Sequence, residues 1–167
     1  PARCGCRRSL DPGLAGRIDA VAAHFQQPGW FTRNVFNRAV AGLPRAGVSV
    51  AGSRVLEVQG RKSGEWRRTP VNVLTLDGVR YLVSPRGRSQ WVRNIRVSGQ
   101  ARLVLGRRAE SIAVTELADD EKVPLLRAYL KHWRWEVGAF FGGVGPDSPD
   151  EDLRRIAPDH PVFRIAG

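Results

Sequence analysis

The residues best suited to chemistry lie in two short basic turns. The first is Gly60-Arg61-Lys62-Ser63-Gly64, followed by Arg67 and Arg68. Two glycines free the backbone so that its N–H groups can converge on an anion. Arg61 adds a planar fork of donors, Lys62 a point charge and Ser63 a hydroxyl. That set suits a phosphate, although it is not a Walker loop, whose Gly-x-x-x-x-Gly-Lys-Ser spacing is absent. Strand alternation puts Arg67 and Arg68 on opposite faces, so one of them is expected to face the ligand. The second turn, Ser84-Pro85-Arg86-Gly87-Arg88, runs into Ser89-Gln90-Trp91-Val92-Arg93-Asn94. Its cations stand beside the start of an expected helix, which itself attracts anions. Two such turns at the ends of neighbouring strands could clamp one anionic ligand. Either turn alone is equally well explained as a solvated loop, and Trp91 as a core residue.

The charge distribution points the same way. The net charge is +11 over 167 residues, and residues 54–108 hold 13 basic side chains against 3 acidic ones, whereas residues 109–167 hold 7 against 11. A concentrated excess suits a polyanionic partner: a phosphate-bearing ligand, nucleic acid or an anionic membrane surface. The arginines sit in turns rather than along one helix face and no nucleic-acid motif appears, so a basic nucleic-acid-binding module is the weakest reading and no nucleic-acid partner is expected. Hydrophobic residues make up 42%, ordinary for a soluble globular protein. No apolar run approaches the roughly 20 residues that span a bilayer. The N-terminal residues lack the apolar stretch of a secretory signal. A cytoplasmic location is the expectation. Cys4 and Cys6 are too close for an unstrained disulfide, and two such residues do not make a zinc site. His24, His132 and His160 are scattered. Neither a metal-spaced cluster nor a Ser-His-Asp signature is present, and no metal is expected.

The elements that must position these turns follow from periodicity. Residues 1–13 read as a flexible basic leader, and residues 14–167 as a single domain. Helical spacing covers residues 14–26 and again Trp30–Leu43. The second helix sets Trp30, Phe31, Val35, Phe36 and Val40 among Arg33 and Arg38. It either packs on the core or rests on a membrane surface through Trp30–Val40. From Arg54 the period shortens. Strands are expected at 54–58, 69–76, 79–83, 101–105, 110–117 and 160–165, with a hairpin at Asp77-Gly78. A short helix over 90–97 and a longer one after Asp119-Asp120-Glu121 interrupt them. The acidic stretch 147–152 reads as a loop. Hairpin-linked strands without strand–helix–strand alternation favour an α+β fold: a small barrel of about six antiparallel strands with helices packed outside.

Gly60 to Gly64, Arg67, Pro70-Val71, Arg86-Gly87, Trp91 and Asn94 together resemble the deazaflavin-dependent nitroreductase and quinone reductase family of actinobacteria, in order and at similar spacing over roughly residues 50–135. The resemblance implies a split β-barrel, FMN-binding-like, that uses coenzyme F420, with FMN the weaker candidate. It implies that Arg61, Lys62, Ser63 and Arg67 hold the phosphate and polyglutamate tail. It further implies that Thr69, Pro70, Val71 and Asn72 run along the deazaflavin ring, that Arg86 meets the acidic tail, and that Gln90, Trp91 and Asn94 close the other side. The implied activity is hydride transfer from F420H2 to a quinone, enone or nitro acceptor. Asn72 stands where a well-studied branch has tyrosine, and the late helix reads Tyr129, His132, Trp133 and Trp135 in place of several tyrosines. Tyr129 and His132 are then candidate proton donors or pocket lining, and Asn72 and Trp133 candidate walls of the acceptor pocket. The alternative within the same fold is a non-catalytic protein that binds F420 or a lipid.

Overall fold

In a computed structural model of the chain, residues 53–166 are described. The leader 1–13, the two N-terminal helices including Trp30–Val40, and Cys4, Cys6 and His24 lie outside the described residues.

Six antiparallel strands close into a barrel: β1 (Ser53–Gln59), β2 (Trp66–Leu76), β3 (Val79–Val83), β4 (Gln100–Leu105), β5 (Arg108–Glu116) and β6 (Val162–Ile165). Their order around the barrel is β1-β2-β3-β6-β5-β4, and β4 returns to β1. The β2–β3 hairpin turns at Asp77 (φ 51°) and Gly78 (φ 76°). Two successive left-handed residues match the right-handed twist of the flanking strands, which is why Asp-Gly marks this turn.

Three α-helices accompany the barrel among the described residues. Helix α1 (Gln90–Ser98) lies between β3 and β4, α2 (Lys122–Val137) follows β5, and α3 (Asp150–Ile156) precedes β6. Trp91, Val92 and Ile95 of α1 are buried with Leu56, Val58, Val71, Leu82, Leu103 and Phe163 in the barrel interior. Helix α1 therefore plugs one end of the barrel. It ends at Gly99 (φ 63°), whose N–H bonds to the Ile95 carbonyl, the left-handed stop that glycine adopts without a Cβ penalty. Helices α2 and α3 pack outside, where Leu126, Leu130, Tyr129, Phe141 and Leu153 cover Leu74, Val83 and Val162.

Strand β2 belongs to both layers. Val71 and Val73 point into the barrel, while Leu74 and Leu76 point to α2. This two-sided burial blurs the simple polar–apolar alternation in the sequence. Three expectations shift. Strand β2 begins at Trp66 rather than Thr69, because Gln59↔Trp66, Val58↔Arg67 and Glu57↔Arg68 continue the ladder through an exposed polar stretch. Strand β5 begins at Arg108, directly after the Gly106-Arg107 turn. The acidic stretch read as a loop is in part α3: Asp150, Glu151 and Asp152 occupy its first turn, where carboxylates oppose the positive end of the helix dipole.

Candidate functional site: a basic cradle beside an open strand edge

Both basic turns lie at the same end of the barrel. The first is tight: Gly60 N–H bonds to the Glu65 carbonyl and Gly64 N–H to the Gly60 carbonyl, each at 2.8 Å. A Cβ on Gly60 would come within 2.8 Å of Ser63 Oγ, so a larger residue there would make the Ser63 hydroxyl turn away. The second turn is held by Ser84 Oγ, which donates to the Gly87 carbonyl at 2.7 Å. Gly87 has φ 70°.

Arg61 ties the turns together across 33 residues of sequence. Its Nη1 donates to Asn94 Oδ1 at 3.0 Å and to Gln90 Oε1 at 3.1 Å, and its backbone N–H reaches Asn94 Oδ1 at 3.3 Å. Asn94 is buried inside α1, whereas Gln90 is exposed at its start. Arg61, Gln90 and Asn94 thus form one unit. Trp91 instead turns into the barrel and packs on Phe163 with ring centroids 5.7 Å apart. It supports the cradle from behind.

The remaining cations divide into two groups. Arg67 pairs with Glu65 at 2.7 Å, and Arg68 with the nearly buried Glu57 at 2.8 Å. Glu57 is a partner that composition gave no reason to single out. It sits opposite Arg68 in the β1–β2 register, which becomes visible only once the strands are aligned. Lys62, Arg88 and Arg93 make no ion pair among the described residues and are at least partly exposed. They are the cations most available to an incoming anion. Arg86 lies with its guanidinium 5.4 Å from the centre of the Phe140 ring, and burial pulls its pKa down from the ordinary arginine value.

Between the turns runs the first half of β2. Strand β3 pairs only with Val73 to Leu76, so residues 66–72 have no strand on that edge among the described residues. Pro70, which has no N–H to offer a neighbour, suits such an edge. Thr69 and Pro70 are half-buried, and Val71 and Asn72 buried. Asn72 is the pivot towards α2. Its Nδ2 donates to Glu136 Oε2 at 3.1 Å, and its side chain also shares a hydrogen bond with the Tyr129 hydroxyl. Tyr129 is 1% exposed and packs against Trp133 with ring centroids 4.9 Å apart and the rings tilted by 44°. Burial pushes its phenol well above the ordinary range, the Glu136 charge pushes it further, and the Asn72 bond only partly offsets this. His132 is exposed on the same helix, its ring 5.4 Å from that of Trp133. Trp133 is buried and Trp135 exposed. Glu136 is the residue here that sequence reasoning missed. Its only signal was a helical position seven residues after Tyr129, which gave no hint of Asn72.

Two open depressions of about 680 and 650 Å³ lie elsewhere, one around Gly78, Leu117 and Arg164, the other around Arg54, Leu103 and Glu110 at the far end of β1. Neither touches Arg61, Asn72 or Arg86. That donor set fits an extended ligand with phosphate and carboxylates at one end and a flat ring at the other: cations and freed backbone groups at the turns, a half-buried strand between.

A closed six-stranded antiparallel barrel with helices outside is an α+β split β-barrel, here with a basic cradle at one end. Residues 31–135 match the model of the F420H(2)-dependent quinone reductase family, and the chain belongs to that family. It is an F420H2-dependent reductase, with coenzyme F420 as its cofactor. Among solved structures, similar chains include an F420-H2 dependent reductase (16% identity, 69% of this chain and 94% of that one, TM-score 0.48). Another is described as a domain-swapped dimer (17% identity, 80% and 96%, TM-score 0.50). A third is a protein of unknown function from Agrobacterium tumefaciens str. C58 (14% identity, 68% and 47%, TM-score 0.49), of which this chain spans less than half. At such identities the likeness concerns the fold alone. No curated protein matches the chain.

Proposed function

We propose that the chain reduces a quinone, with enones and nitro compounds as lesser acceptors, and that the cofactor lies along the open edge of β2. Arg61, Lys62, Ser63 and Arg67 hold its phosphate, and Arg86 and Gly87 border its acidic tail. Thr69, Pro70, Val71 and Asn72 support the ring, and Gln90 and Asn94 close the opposite side, with Trp91 packed behind them in the barrel. The observation that carries this reading is the Arg61–Asn94–Gln90 unit, which joins the two basic turns beside a strand edge with no strand partner among the described residues.

When bound, the reduced deazaflavin supplies hydride, and the protein orients it and excludes water. Tyr129 contributes by holding Asn72 and lining the pocket, because a phenol pushed this far up is a poor proton donor near neutral pH. His132 is the group placed to exchange a proton with solvent and pass it to an acceptor at the rim. Asn72 and Trp133 form the wall between them.

Fluorescence titration tests the site. F420 should bind in the micromolar range or tighter, and FMN, which lacks the glutamate tail, at least tenfold more weakly if the free cations contribute about 1.4 kcal/mol between them. Equal affinities would remove the tail from the reading. The aromatic–arginine stretch Trp30–Val40 supports a second element, a cytoplasmic protein that contacts the inner face of the membrane. Co-sedimentation with anionic liposomes should fall when Trp30 and Phe36 are replaced by alanine, and no sedimentation of the parent protein would dismiss the contact.

A further inference from the structure

We propose that Glu136 sets the charge specificity of the acceptor site, its carboxylate disfavouring anionic acceptors and selecting uncharged ones. The inference rests on the cofactor placement just proposed, in which the ring lies along Thr69–Asn72; an acceptor stacked on that ring then faces the C-terminal part of α2, which reaches Asn72 through Glu136.

Three observations fix the carboxylate there. Its Oε2 accepts from Asn72 Nδ2 at 3.1 Å, and Asn72 is only 9% exposed. Glu136 cannot swing away without stripping a buried amide of a partner. The backbone of α2 breaks its helical course at Trp133 (φ −127°, ψ 16°), one turn before Glu136, so the last turn is free to set its own direction towards β2. Finally, the charge has no ion-pair partner among the described residues, whereas Glu57, Glu65, Glu110 and Glu116 each pair with an arginine. Its field already reaches the neighbouring Tyr129 hydroxyl, where it opposes ionisation.

The cradle and this wall therefore have opposite signs. Cations gather at the turns, where the acidic tail belongs. A lone carboxylate stands at the ring end, where an acceptor enters. A second negative charge about 8 Å from it, at the effective dielectric of a partly exposed site, is disfavoured by about tenfold or more. A neutral quinone escapes that penalty. An acceptor carrying a carboxylate does not.

The test uses a benzoquinone with a carboxyalkyl side chain and its methyl ester, which differ in charge and by one methyl group, the methyl contribution cancelling when parent and variant are compared. At fixed ionic strength, the ratio of kcat/KM for the ester over the acid should exceed one in the parent protein. It should fall about tenfold in Glu136→Gln, which keeps a hydrogen-bonding partner for Asn72. Calorimetric titration of the two quinones into protein loaded with oxidised F420 should show the acid gaining affinity over the ester by a similar factor. A salt series on the parent protein keeps the inference testable should the variant not fold: the ester's advantage should narrow as ionic strength rises. Equal ratios in parent and variant, or an acid favoured over its ester in the parent, would overturn the assignment while leaving the reductase reading intact. Failure of the parent protein to bind F420 in the fluorescence titration would remove both.

Discussion

Replacing Arg61 with alanine should weaken F420 binding by about 100-fold. A charge-assisted hydrogen bond contributes on the order of 1.5–3 kcal/mol, which is roughly 10- to 150-fold in affinity. Arg61 warrants the upper part of that range because it acts twice. It offers a cation to the phosphate, and it fastens the first turn to Gln90 and Asn94 of α1. Its loss leaves Asn94, buried in the helix, short of a donor. Lys62→Ala removes a charge without loosening the cradle, so it should cost several-fold less. Fluorescence titrations of the two variants against the parent measure the difference. Equal losses would mean that Arg61 contributes charge alone, and a loss under about fivefold for Arg61→Ala would place the phosphate elsewhere.

Tyr129 produces the largest expected effect on stability. Truncating it to alanine opens a cavity among Trp133, Phe141 and Leu126 and should cost about 3–5 kcal/mol, a large fraction of the 5–15 kcal/mol that holds a typical domain together. The phenylalanine variant separates packing from chemistry. It keeps the ring and removes the hydroxyl that meets Asn72, so it should cost about 1–2 kcal/mol. A general acid contributes about 10²–10⁴-fold to rate. If Tyr129 supplies the proton, Tyr129→Phe must lose at least a hundredfold in kcat. We expect less than tenfold. Denaturant unfolding in the absence of cofactor gives the stability terms, and turnover at saturating F420 gives the rate.

The sequence carried the barrel because its signals are local. Asp77-Gly78 fixes one hairpin, Gly99 stops α1, and Trp91, Val92 and Ile95 lie at helical spacing on one face. It also carried the two basic turns as separate objects. What it did not carry were partners brought together by strand register and helix packing. Arg61 and Asn94 meet across 33 residues, and Asn72 and Glu136 across 64. Neither pair leaves a periodic trace. The pairing of Glu57 with Arg68 follows from an 11-residue hairpin register, which needs the start of β2 at Trp66. That start is hidden because Trp66, Arg67 and Arg68 are all exposed. Helix α3 was obscured differently. Three acids in its first turn resemble a solvated loop until the helix dipole is considered.

The open edge of β2 has a consequence for handling the protein. An unpaired strand edge is a template on which another chain can add a strand, and natural sheets guard such edges with proline and with charge. Here Arg67, Arg68 and Pro70 stand along an edge with no strand partner among the described residues, so the features proposed to suit it to an acidic cofactor are also those that discourage strand addition by neighbouring molecules. Reshaping this strand for a new cofactor, by exchanging Pro70 for a residue with an N–H or by neutralising the arginines, would strip away the guard along with the site.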